Sequence, residues 1–99
     1  METFSADPSS HLPYEVDWSL WMKARGYVAG DIQAFAWSVQ TPAVATFAQG
    51  SGTVARVWIK GVPVGKTVRA TCTITVHPPD VSVDPVTDKV SFMLKGVAA

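Results

Sequence analysis

The residues with most chemical promise lie between 61 and 67, where Gly61-Val62-Pro63-Val64-Gly65-Lys66-Thr67 ends in the Gly-Lys-Thr of a phosphate-binding loop. That loop works by aiming backbone amides at phosphate oxygens at the start of a helix. Here three residues, not four, separate the glycines, and Thr67 opens an obvious strand where the motif needs a helix. Gly61, Pro63 and Gly65 are read instead as a hairpin connection between two strands. His77, Asp80, Asp84 and Asp88 offer nitrogen and oxygen ligands within one loop, but their spacing matches no cation-binding loop, and they read as solvated acids of a connection. Cys72 is the one thiol in the chain, and it falls on the apolar face of an alternating strand, where a nucleophile would lack both exposure and a base. With histidine only at positions 11 and 77, no serine or cysteine has an evident general base, and no carboxylate pair is placed for acid–base work. No catalytic residue, metal ligand or cofactor is assigned.

The aromatics point elsewhere. Four tryptophans in 99 residues exceed what one thin core readily hides. Alternation assigns Trp18 and Trp37 to the core, whereas Trp58 shares a face with Arg56, and Trp21 lies in a loop with Arg25 and Tyr27. Trp, Tyr and Arg are the usual anchors of interfaces, so Trp21, Arg25, Tyr27, Arg56 and Trp58 are the candidate contacts. Phe4 and Leu12 join them as anchors of a leading arm.

These residues must be positioned by strands. Valine fills 15 positions and threonine 9, and both are stiff at the β-carbon and suited to a pleated sheet. Residues 1–13 mix serine, proline and acid without period, which predicts an arm that orders only against a partner; residues 14–99 are expected to form a single sandwich domain. Tyr14, Val16 and Trp18 alternate with polar residues, as in a half-buried strand. Residues 20–30 read as a loop with one turn of helix, because Gly26 and Gly30 interrupt it. Residues 31–39 are apolar on both faces, which fits a central strand or one whose parity is switched by a bulge between Ile32 and Trp37. A short segment, 43–48, precedes a turn at 49–52. Residues 53–60 put Ala55, Val57 and Ile59 on one face, with Val54, Arg56 and Trp58 on the other. The clearest run is 67–76, where Val68, Ala70, Cys72, Ile74 and Val76 alternate with polar residues. A last strand, 89–95, points Val90, Phe92 and Leu94 inward. Six or seven short antiparallel strands with no sustained helical period predict an all-β, immunoglobulin-like β-sandwich.

Charge narrows the class of partner. The chain is neutral overall, so no general field draws it to nucleic acid or an anionic membrane. Residues 1–50 carry five acids against two bases, and residues 51–99 carry six bases against three acids. In a sandwich these halves interleave on one surface, while head-to-tail attraction between copies is the sharper alternative. The lone cysteine favours folding in a reducing compartment. The first residues show neither a secretory signal nor a membrane span, which predicts synthesis in the cytoplasm.

Taken together, Tyr14-x-Val16-Asp17-Trp18, Gly30-Asp31-Ile32, Trp37-x-Val39, Val57-Trp58-Ile59-x-Gly61, Gly65 and Thr73-Ile74-Thr75 resemble a family of small structural proteins of tailed bacteriophages, fibre-to-tail adaptors and related virion proteins with an immunoglobulin-like fold. The resemblance covers about residues 14–95. The chain departs from the family pattern by lacking a residue between Gly30-Asp31 and Ile32, and by a longer connection from His77 to Asp88; loops of this kind set partner specificity. The resemblance implies a non-catalytic virion component without cofactor, made in the host bacterial cytoplasm. It would be built in several copies into a symmetric tail, neck or fibre-attachment assembly, with other virion proteins and copies of itself as partners. The alternatives are a capsid decoration protein of the same fold, or a free-standing module binding carbohydrate or peptide through Trp21, Tyr27 and Trp58.

Overall fold

The computed structural model of the protein describes residues 3–6, 11–77 and 84–97. Seven strands and one short helix follow in the order β1 (Thr3–Ala6), β2 (His11–Asp17), α1 (Ser19–Arg25), β3 (Ile32–Val39), β4 (Val44–Ser51), β5 (Val54–Lys60), β6 (Thr67–Val76) and β7 (Val86–Gly96). One sheet has the order β1-β7-β6-β3 and the other β2-β5-β4. This is a sandwich in which the order β7-β6-β3 against β2-β5-β4 is that of the immunoglobulin G-F-C and B-E-D strands.

The core follows from alternation. Ala55, Val57 and Ile59 of β5 face Val68, Ala70, Cys72, Ile74 and Val76 of β6 across the sandwich, and all eight are buried. Their neighbours Val54, Arg56 and Trp58 lie on the outer side of β5, as the sequence predicts. Cys72 is buried, and burial pushes its thiol upward, an effect partly opposed by the Trp18 indole. Beyond that sulfur, a weak acceptor, the Trp18 N–H has no hydrogen-bond partner. Val90 shares the inward parity of Phe92 and Leu94 but is 41% exposed. It lines an open groove of about 340 Å³ with Phe4, Val16 and Phe92, because β1 covers only the far end of β7.

Five expectations are corrected. Thr3–Ala6, read as part of a loose arm, is a strand running parallel to β7, with Thr3 opposite Met93 and Ala6 opposite Gly96. Ala6 is buried, and Phe4 packs on Tyr14 and Phe92 at ring separations of 5.6 and 5.5 Å. The sequence of β1 is too short and polar to announce this; the free edge of β7 supplies the pairing. His11 to Pro13, also assigned to the arm, already belong to β2, where Leu12 is opposite Ile59.

The second correction is α1, seven residues long and not a single turn. Gly26, taken as an interruption, is its terminator. Its φ of 75° lets the Gly26 N–H reach Lys23 O and the Tyr27 N–H reach Met22 O, so two last-turn carbonyls are satisfied. The helix buries Met22 and leans on Trp18. Third, β3 is an edge strand, not a central one, and its mixed faces come from the foreseen irregularity, a register shift between Ile32 and Ala34. Fourth, β4 runs on to Ser51, so the turn shrinks to Gly52 and Thr53.

The 61–67 segment is also not a hairpin within one sheet, since β5 and β6 belong to different sheets. It crosses between them with its amides turned to the protein's own backbone: Lys66 N–H donates to Pro63 O, and Gly65 N–H to Gly96 O. A side chain at Gly96 would collide with the Pro63 carbonyl, so only glycine fits where this crossing meets β7.

Candidate functional site

Among the described residues, those singled out for catalysis or metal binding in the sequence are not gathered into one cluster. Asp88 is engaged elsewhere, Asp80 lies outside the described residues, and His77 donates its backbone N–H to Asp31 O. Among the described residues, no group of three His, Cys, Asp or Glu is gathered around a common point. The aromatic candidates do gather, in three places.

The first place is the end of the sandwich capped by α1. Trp18 donates its backbone N–H to Thr53 O, which fixes the start of the helix against the β4–β5 turn. Trp21, one helical turn on, stands edge-on to Trp18 at 5.5 Å and tilted to Tyr27 at 6.1 Å. Its indole N–H donates to Asp88 Oδ2 at 2.7 Å, and the Arg25 guanidinium lies 4.4 Å above its ring. The carboxyl of Asp88 is held below the usual carboxylate range by the Lys89 backbone N–H, then by the Trp21 N–H, with Arg25 adding attraction. Asp17 is lowered likewise, chiefly by the Ser19 backbone N–H at the helix start. Trp21, Arg25 and Tyr27 are thus bound into the molecule. The large apolar side chains that project beside them are Leu20, 79% exposed, and Val28, 65% exposed. Neither was singled out in the sequence, because only a helix places Leu20 outside while Met22 points in.

The second place is the outer face of β2-β5-β4, toward the other end. Register sets Pro13 opposite Trp58 and Trp58 opposite Phe47, which makes an apolar strip across the three strands. Phe47 is 58% exposed and meets Trp58 at 5.3 Å. The next row is polar: Glu15, Arg56 and Gln49 lie side by side, with Arg56 Nη2 3.2 Å from Glu15 Oε2. That pair joins the acidic and basic halves of the chain, and being half exposed it contributes at most about 1 kcal/mol. Phe47 was missed because its strand alternates weakly, and its exposure follows from pairing with Trp58.

Phe4, in the third place, is not a free anchor. It covers the flank of the core over Tyr14, whose hydroxyl is raised by burial. The candidate set therefore divides into a braced end, an open outer strip and a flank that Phe4 covers in part.

A family model described as podophage GP4 fiber-tail adaptor protein gp77 matches residues 6–90 of the chain. No curated protein and no solved structure matches it.

Proposed function

Because the chain belongs to the podophage GP4 fiber-tail adaptor protein gp77 family, a structural component of the virion tail, we propose that it bridges tail and fibre through two separate surfaces. One is the outer strip of Pro13, Phe47 and Trp58 with its Arg56–Glu15 rim; the other is the α1 end, where Leu20 and Val28 project around the braced Trp21. A bridge needs two docking sites that can be filled together. The observation that carries the reading is that Leu20 and Val28 project at the α1 end while Phe47 projects from the outer sheet face toward the other end. Aromatic and aliphatic centres ringed by polar groups are what association surfaces present.

The mechanism is physical. The protein is made in the host cytoplasm, is placed in several copies around the tail, and acts without catalysis, cofactor, nucleic acid or membrane. Its partners are other virion proteins, which bury these two patches.

Particle assembly tests this. Trp58→Ala and Leu20→Asp should each fold with a melting temperature near that of wild type. One should fail to enter tails, and the other should enter but leave the particles without fibres. Two variants that both yield fully fibred particles would refute the two-surface bridge.

A further inference from the structure

Between Asp31 and Arg56 the chain carries no Asp, Glu, Lys, Arg or His, although charged residues make up 16% of the whole. This stretch supplies both β3 and β4, which are the edges of their sheets on the same side of the sandwich. The opposite side is different. There the edge strand β2 carries Pro13, Glu15 and Asp17, and the part of β7 that β1 leaves uncovered carries Asp88 and Lys89. Charges and prolines along an edge are how soluble sheets block further pairing. One side of this molecule is guarded by charge and proline, whereas on the other only the register shifts at Ala45/Phe47 of β4 and Ile32/Ala34 of β3 interrupt the edges.

Of the two uncharged edges, β4 has something to gain by pairing. All eight of its residues are exposed, among them Val44 and Phe47. The exposed side chains of β3 are Gln33, Ala34, Ala36 and Ser38, which have little apolar area to bury. Among the described residues, β4 pairs with β5 on one side and with no strand on the other.

We propose that β4 pairs antiparallel with β4 of a second copy about a twofold axis, joining two three-stranded sheets into one of six. A twofold edge sets each strand antiparallel to itself, so a charge close to the axis would lie near its own copy. β4 has none, whereas the same pairing through β2 would bring together the carboxylates of Glu15 and Asp17. The inward positions Ala45, Ala48 and Gly50 are small and leave the backbones free to approach. On the outer face the Pro13–Trp58–Phe47 strip meets its copy and becomes an apolar band across all six strands. The pairing goes beyond the bridging role and stands on the composition and exposure of the edge alone.

Sedimentation of the full-length chain over a range of concentrations, with hydrogen exchange on the same samples, tests the pairing. The expected result is a dimer that fills with concentration, with amides of 44–51 gaining protection in step while those of β2 do not. Gln49→Lys, on the exposed outer face of β4, should weaken the dimer by about tenfold or more, as a like-charge juxtaposition does, while the monomer, in which it faces Arg56, still folds with only a small fall in melting temperature. Gln49→Glu should behave the same way alone, and an equimolar mixture of the two variants should recover association. A wild-type chain that stays monomeric up to about 0.1 mM, where pairing of micromolar strength would be saturated, overturns the proposal. So does a dimer whose new protection lies outside β4. Entry of Leu20→Asp into particles reports on the bridging role separately, because Leu20 lies on α1 and away from the β4 edge.

Discussion

Trp21 and Trp58 look alike in the sequence, each a tryptophan beside an arginine and outside the apolar alternation, yet the structure uses them in opposite ways. Trp21 is held by four neighbours, the Trp18 ring, the Tyr27 ring, the Arg25 guanidinium and the Asp88 carboxylate. Trp58 has one ring neighbour, Phe47, and an arginine 6.0 Å from its ring centre that is already paired with Glu15. A tryptophan whose N–H is satisfied inside its own chain braces that chain; one on the outer face of a sheet is free to serve a neighbour. The difference arises from the elements. A helix end can fold several groups around one ring, whereas an outer strand offers only its cross-strand partners.

Substitution puts this contrast at risk. Trp18→Ala should cost most, about 3 to 5 kcal/mol as for other buried tryptophans, because Trp18 floors the α1 cluster; denaturant unfolding measures it. Trp21→Ala should cost roughly 2 kcal/mol, less because its ring is only half-buried. Trp58→Ala should cost about 1 kcal/mol or less, the scale of one exposed aromatic pair. If Trp58→Ala proves as damaging to stability as Trp21→Ala, the two residues are not different in kind.

The smallest effect is electrostatic and sharpens the same contrast. The carboxyls of Asp88 and Asp17 both sit below their unfolded value, so each adds stability above that value, near pH 3.9, that is lost as pH falls through the folded value. Thermal melts should therefore weaken below about pH 4. Asp88→Asn should flatten part of that acid slope and loosen Trp21, seen as a shift in its fluorescence. An unchanged acid slope in Asp88→Asn would mean that the carboxylate does not brace the ring.

Much of the sandwich was legible because β5 and β6 bury one face each, and a half-buried strand writes its period into the sequence. The residues of β6 and both faces of β5 follow from alternation alone, and the bulge in β3 follows from its switch of parity. What escaped depends on distant partners. β1 is a strand because β7 offers it an edge about ninety residues away. The brace on Trp21 comes from Asp88, 67 residues on, which in the sequence reads as one more solvated acid. The outer strip requires the register of three strands, and α1 requires that Gly26 be read as a terminator.

The parallel pairing of β1 with β7 also bears on how the molecule carries load. A pull applied ahead of Thr3 and beyond Gly96 draws the two strands past each other along their common axis. The paired bonds from Thr3–Met93 to Ala6–Gly96 are then strained together in shear, where an antiparallel terminal pair would peel open one bond at a time. Behind them, the glycine contact of Gly96 with Pro63 and the Lys66 carbonyl that accepts its N–H tie the loaded strand to the crossing between the sheets. Tension along the chain is thereby delivered into the body of the sandwich and not to its rim.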